Sequence, residues 1–270
     1  MNECDACMKG KMTRTPFKNK INYNTQQPMD INVADTMGPI KPTSLSGFRY
    51  AFVIVDIHTR LPYIYLLRDK TEAAQVLIDH ITMMQTQFNT LLKLFHSDGG
   101  TEIVNSDVIE FLKRNGTIRT NTTPNTPQNN AVAETMFRTL MNMAKCMMYH
   151  SNVSKKLWDE AIMYAAHVVR RSTTKHDDKD TPIKSLTKQK PSIKHIHTFG
   201  CDAFYHIHKD NREGKLDQNA RKGIFVGVAG GNETYFRIYD VELNKIITSR
   251  DVRFNENMFT QAKQMVNEGK

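Results

Sequence analysis

Asp98 closes the short apolar run 91–97 and is followed at once by two glycines, in the stretch "FHSDGG". A carboxylate fixed at a strand exit, with loose backbone behind it, is placed to hold a metal ion or to move a proton. The same Asp-Gly pair also makes ordinary turns, so the rest of the chain has to decide. Two other acids stand in comparable positions. Asp35 lies in "MDINVADTMGPI", where Ile31, Val33 and Asp35 share one parity, as in a strand ended by Gly38-Pro39. Glu134 falls in the first turn of a helix that starts near Ala131. If the first and fourth strands are neighbours, the two aspartates share a site and the helix brings the glutamate to it. Three converging carboxylates repel one another unless cations bind between them. Two hard divalent ions on such a set activate a nucleophile and stabilise a leaving oxygen, the logic of phosphoryl-transfer nucleases.

The elements that would position these acids are legible. "YAFVIVDI" (50–57) is a dense apolar run of the kind found in a strand buried on both faces, and "PYIYLL" (62–67) is a third strand. Residues 71–88 read as an amphipathic helix with Thr71 as its N-cap. Strand 91–97 leads to Asp98, helix 106–116 opens on Ser106 and stops at Gly116, and 117–122 is a short fifth strand. A Pro-Asn loop, 123–130, precedes helices at 131–149 and 154–172. A lysine-rich connector, 173–197, reads as exposed, and from Phe199 to Phe254 short strands between turns suggest a small β-barrel or β-sheet domain.

Charge follows this division. The chain of 270 residues has a formal net charge of +9, which points to a polyanionic partner. Residues 1–29, 138–171 and 174–197 carry +3, +4 and +3, whereas 30–137 carry −2 and 198–256 are neutral. A polyphosphate binder that gathers acids in its middle is consistent with bound metal. No apolar stretch is long enough for a membrane helix and the N-terminus has no signal-peptide pattern, which predicts an intracellular chain with access to the nucleus. Of the four cysteines only Cys4 and Cys7 are closely spaced, so a disulfide framework is not expected.

The residues around the three acids carry a family resemblance. Asp35 in "DTMGP", Asp98 in "HSDGGTE" and Glu134 in "TPQNNAVAETMFRTL" resemble the D…D…E triad of retroelement integrases, with 35 residues between the last two. The wording near Glu134 resembles copia-type (Pseudoviridae) retrotransposons. "CDACMKGKMTRTPF" is similar to the segment joining their zinc module to the core, and "FGCDAFYHIHK", "KLDQNARKGIFVGV" and "ITSRDVRF" to the domain behind it. The resemblance implies an integrase region of a Gag-Pol polyprotein that also contains protease and reverse transcriptase. It implies an α/β, ribonuclease-H-like catalytic core, a mixed five-stranded sheet flanked by helices, followed by a small β domain. The division is then 1–29 zinc-module remnant and linker, 30–172 core, 173–197 basic linker, 198–256 β domain and 257–270 tail. The implied activity is end processing and strand transfer of element DNA into target DNA, on two Mg²⁺ or Mn²⁺ ions held by Asp35, Asp98 and Glu134. The implied partners are double-stranded DNA and further copies of the chain, and the place of action is the nucleus. The alternative is an inactive, basic nucleic-acid-binding relic. Ala131, Thr135, Gly99 and Thr101 depart from the family wording without removing a ligand.

Supporting residues follow. Val132, Met136, Leu140, Met143 and Met147 form the apolar stripe expected to face the core, while Glu134, Arg138, Met141 and Lys145 share another face. Arg138 and Lys145 would hold phosphates near the metals, with Asn125, Gln128 and Asn130 of the preceding loop; the simpler reading is an i,i+4 pair of Arg138 with Glu134. Cys4-x-x-Cys7 is half of a zinc site, and the resemblance places the paired histidines upstream, so Zn²⁺ is expected only where those ligands are supplied. His206 and His208 read as one face of a strand.

Overall fold

The computed structural model describes residues 25–97, 103–121, 131–173, 177, 179–212, 214–229 and 233–260. Strands β1 (Ile31–Met37), β2 (Tyr50–Asp56), β3 (Pro62–Leu67), β4 (Leu94–Ser97) and β5 (Ile118–Asn121) form one sheet in the order β3-β2-β1-β4-β5. The first three are antiparallel neighbours, and β4 and β5 run parallel to β1. The chain can add β4 alongside β1 only by a crossover. Helix α1 (Ala73–Phe88) makes it, and α2 (Ser106–Arg114) makes the next one.

Strand alternation sorts the side chains into two cores. Ile31 and Val33 share one core with Ala51, Val53 and Val55, beneath α3 (Ala131–Ser151) and α4 (Trp158–Val169). Ala34, Phe52, Ile54 and Phe95 share the other with Leu77 and Ile81 of α1 and Val108 and Leu112 of α2. Strand β2 is buried on both sides, which explains its unbroken apolar run.

Local chemistry moved several boundaries. Thr71 does not cap α1: Asp69 accepts from Thr71 N at 3.0 Å and Glu72 from Asp69 N at 3.1 Å, a capping box on the single turn 70–72. Asn105, rather than Ser106, caps α2 by accepting from Val108 N at 3.0 Å. On α3 Leu140 is buried as expected, but the other buried apolar residues are Ala133, Phe137 and Ala144, one step round from the expected stripe. The methionines at 136, 143 and 147 pack only on its flank, because small Ala133 and Ala144 let the helix sit close to the sheet. The connector is not wholly exposed. It forms α5 (Pro182–Thr187), capped by Thr181, and His195 within it is buried.

The second sheet, β6 (Asp202–His206), β7 (Ala220–Val228), β8 (Phe236–Asp240), β9 (Lys245–Ser249) and β10 (Val252–Asn255), is antiparallel in the order β10-β6-β7-β8-β9. His208 lies beyond the end of β6 and opens the turn 209–211, so it does not share a strand face with His206. This sheet rests on α4. Phe225 meets Tyr164 edge to face at 5.3 Å, and the Tyr164 hydroxyl donates to His197 O at 2.6 Å. Gly200, at φ +82°, brings the chain in: its N–H donates to Phe225 O, and a Cβ there would run into Ser151. Gly200→Ala is therefore expected to cost about 3 kcal/mol, read as a fall in the urea midpoint. Among the described residues no helix is long and apolar enough to cross a membrane.

Candidate active site

Asp35 sits near the carboxyl end of β1, half-buried, opposite Val53 of β2. Its parity with Ile31 and Val33 puts it on the face covered by α3. Glu134 is exposed, one residue after buried Ala133, in the first turn of that helix. Parallel pairing aligns Ala34 with Ser97, the last described residue of β4 and the one before Asp98. Asp98 itself lies outside the described residues, as do Asn125, Gln128, Asn130, Cys4 and Cys7. The described geometry thus brings Asp35 and Glu134 to one face of the sheet. Among the described residues no group of three or more His, Cys, Asp or Glu is placed to hold a metal ion.

Beneath this end of the sheet lies a histidine not singled out in the sequence. His96 aligns with Val33 on one side and Thr120 on the other, so its imidazole is on the Asp35 face. It is buried, and its Nδ1 lies 2.9 Å from Thr120 Oγ1. The contact joins β4 to β5 one residue before the end of β4. A histidine two residues before Asp98 was the only sequence signal.

Along α3, Arg138 and Lys145 are exposed on the Glu134 side. The Arg138 guanidinium donates to Thr135 Oγ1 at 3.3 Å. Two histidines of the connector are paired: His195 Nε2 is 2.7 Å from His167 Nε2, and His197 Nδ1 is 2.8 Å from Glu256.

Residues 25–127 match the family model of the integrase core domain, and residues 201–268 match that of the retroviral polymerase SH3-like domain. The chain carries an integrase core domain followed by a retroviral SH3-like domain. Over 266 residues the chain is 31% identical to the retrovirus-related Pol polyprotein from transposon TNT 1-94 of Nicotiana tabacum, a match that covers 97% of this chain and 20% of that protein. It is 26% identical to the Pol polyprotein from transposon RE1 of Arabidopsis thaliana, covering 95% of this chain and 17% of that one. These relatives are Pol polyproteins of copia-type transposons, and the chain spans about a fifth of their length. Among solved structures it resembles a chain of the simian T-cell lymphotropic virus intasome in complex with PP2A regulatory subunit B56 gamma. The TM-score is 0.54 with 13% identity, over 93% of this chain and 87% of that one, a likeness of fold.

A buried acidic pair on α4 was also invisible as such in the sequence. Glu160 accepts two hydrogen bonds from Arg237 of β8, both at 2.6 Å. Burial, and then Glu160 beside it, push the Asp159 carboxyl up to about 6. A carboxyl raised in the folded state stabilises the fold while protonated, so this contribution is lost as pH rises from about 4 through 6. Asp159→Asn is therefore expected to gain about 2 kcal/mol on the wild type at pH 7 and nothing below pH 4, measured by urea unfolding across that range.

Proposed function

We propose that the integrase region is a divalent-metal-dependent DNA strand transferase that trims element ends and joins them to target DNA. The observation that carries this reading is the placement of Asp35 and Glu134 on one face of an integrase-core sheet, with Asp98 next in sequence after the residue paired to Ala34. Carboxylates are the hard oxygen donors that Mg²⁺ and Mn²⁺ prefer, so the donor set fits two such ions on Asp35, Asp98 and Glu134. When bound, the ions would lower the pKa of water and stabilise the leaving oxygen. The chain's own part is positioning. The strand fixes Asp35, the α3 core residues fix the first turn that carries Glu134, and Arg138 with Lys145 offers cations to phosphates along the same helix.

The partners on this reading are element-end and target duplexes and further copies of the chain. The parent polyprotein would supply protease and reverse transcriptase, and the place of action would be the nucleus. Zinc belongs to the reading only through Cys4 and Cys7 with ligands supplied from upstream. The test is transfer of a labelled DNA end into plasmid with Mg²⁺ or Mn²⁺. Joined product supports the reading; DNA binding without joining, with and without an added N-terminal zinc module, would favour the relic.

A further inference from the structure

The loop between β1 and β2, residues 38–49, leaves the sheet two residues after Asp35 and is held rigidly. Ile40 N donates to Arg49 O at 2.7 Å, Arg49 N to Leu67 O at 3.0 Å and Leu45 N to Lys156 O at 2.8 Å. Phe48 N donates to Ser44 Oγ at 3.0 Å, and the Trp158 indole donates to Pro42 O at 3.0 Å. Along the outside of this frame stand Lys41, Arg49 and Arg68, all exposed, with exposed Lys155 and Lys156 on the turn that seats Leu45. Aromatic rings lie between the cations. The Arg68 guanidinium is 5.4 Å from the Phe48 ring centre, and Arg49 and Lys70 approach the Tyr50 ring at 5.6 and 6.0 Å. The acids nearby are Asp69 and Glu72, which are engaged with each other's backbone and with Thr71.

We infer that this loop is a preformed DNA-backbone platform beside the reaction centre, with Lys41, Arg49 and Arg68 as its phosphate contacts. A rigid frame that presents exposed cations spends little ordering entropy on contact, and phosphate recognition needs no more than charge at the right spacing. Asp35 pairs with Val53, and Arg49 lies four residues along the same strand direction. At the strand rise this is about 13 Å, close to four base steps of a DNA strand. A duplex engaged near Asp35 therefore reaches the platform within half a helical turn.

The inference rests on the integrase reading, and its test separates the two. Binding of a fluorescent duplex is measured by anisotropy over a salt series for three proteins. These are the wild type, the triple variant K41Q/R49Q/R68Q, and the charge-keeping K41R/R49K/R68K. Emission of Trp158, the only tryptophan and a hydrogen-bond partner of the loop, reports whether the frame stays seated. The neutral triple is expected to lower the slope of log K against log salt by about 2–3, while the charge-keeping triple retains it. A wild-type slope in the neutral triple overturns the platform and leaves the integrase reading standing. Equal losses in both triples overturn it too, since shape rather than charge would then matter. A wild type that binds no duplex at all overturns both.

Discussion

Glu134→Gln is expected to lower strand transfer by about 10³-fold while leaving duplex binding and the unfolding midpoint near wild-type values. The substitution keeps the shape of the side chain and removes its charge. Helix α3 is held by Ala133, Phe137, Leu140 and Ala144, all untouched, and Glu134 itself is exposed, so the fold does not depend on its carboxylate. A carboxylate that serves to hold a cation loses that role when it becomes an amide, and electrostatic stabilisation of the transition state goes with it. Arg138→Gln gives a contrasting result: a weaker complex and a salt slope lower by about 1, with the joining step itself preserved. If Glu134→Gln joined DNA at the wild-type rate, the carboxylate would be dispensable and the proposed chemistry would fail at its third ligand.

How far the sequence carried can be judged from particular residues. Strand β3 was legible to the residue because its apolar run is bounded by a proline and by Arg68-Asp69. Strand β2 was legible because its six apolar residues, Tyr50 to Val55, have no solvent face to show. The caps were displaced by one or two positions for a plain reason: Asp69 and Asn105 compete with the neighbouring Thr71 and Ser106 for the same amide groups, and all four are good capping residues. The buried face of α3 was misread because alanine carries little hydrophobic weight. A helix that approaches a sheet closely needs small residues at the contact, and Ala133 and Ala144 take those places while the bulkier methionines flank them. The two acids Asp35 and Glu134 stood out because each is a carboxylate beside an apolar pattern. His96 and Glu160 did not, because their roles depend on partners distant in sequence, on β5 and β8, and Asp159 did not because its shift comes first from burial.

Those long-range partners determine the second large effect. Arg237→Ala is expected to destabilise the chain by about 3 kcal/mol in urea unfolding at pH 7. The guanidinium grips both oxygens of Glu160, whose side chain is only 7% exposed, and truncation leaves that charge buried with Asp159 next to it. The bond crosses from β8 to α4, the same seam where Phe225 meets Tyr164 and Arg171 donates to Glu233 at 2.6 Å. Loss of stability should therefore be shared by the core and the SH3-like domain, and a single unfolding transition should move as a whole rather than split. The double variant Glu160→Met/Arg237→Met removes both charges and fills their volume, so it should recover most of the loss. If Arg237→Ala were neutral, Glu160 would have to find water or another donor, and the seam between the two domains would rest on its apolar contacts alone. A split transition would instead show that the two sheets unfold independently despite the core they share around Val33, Phe137, Ile162 and Phe225.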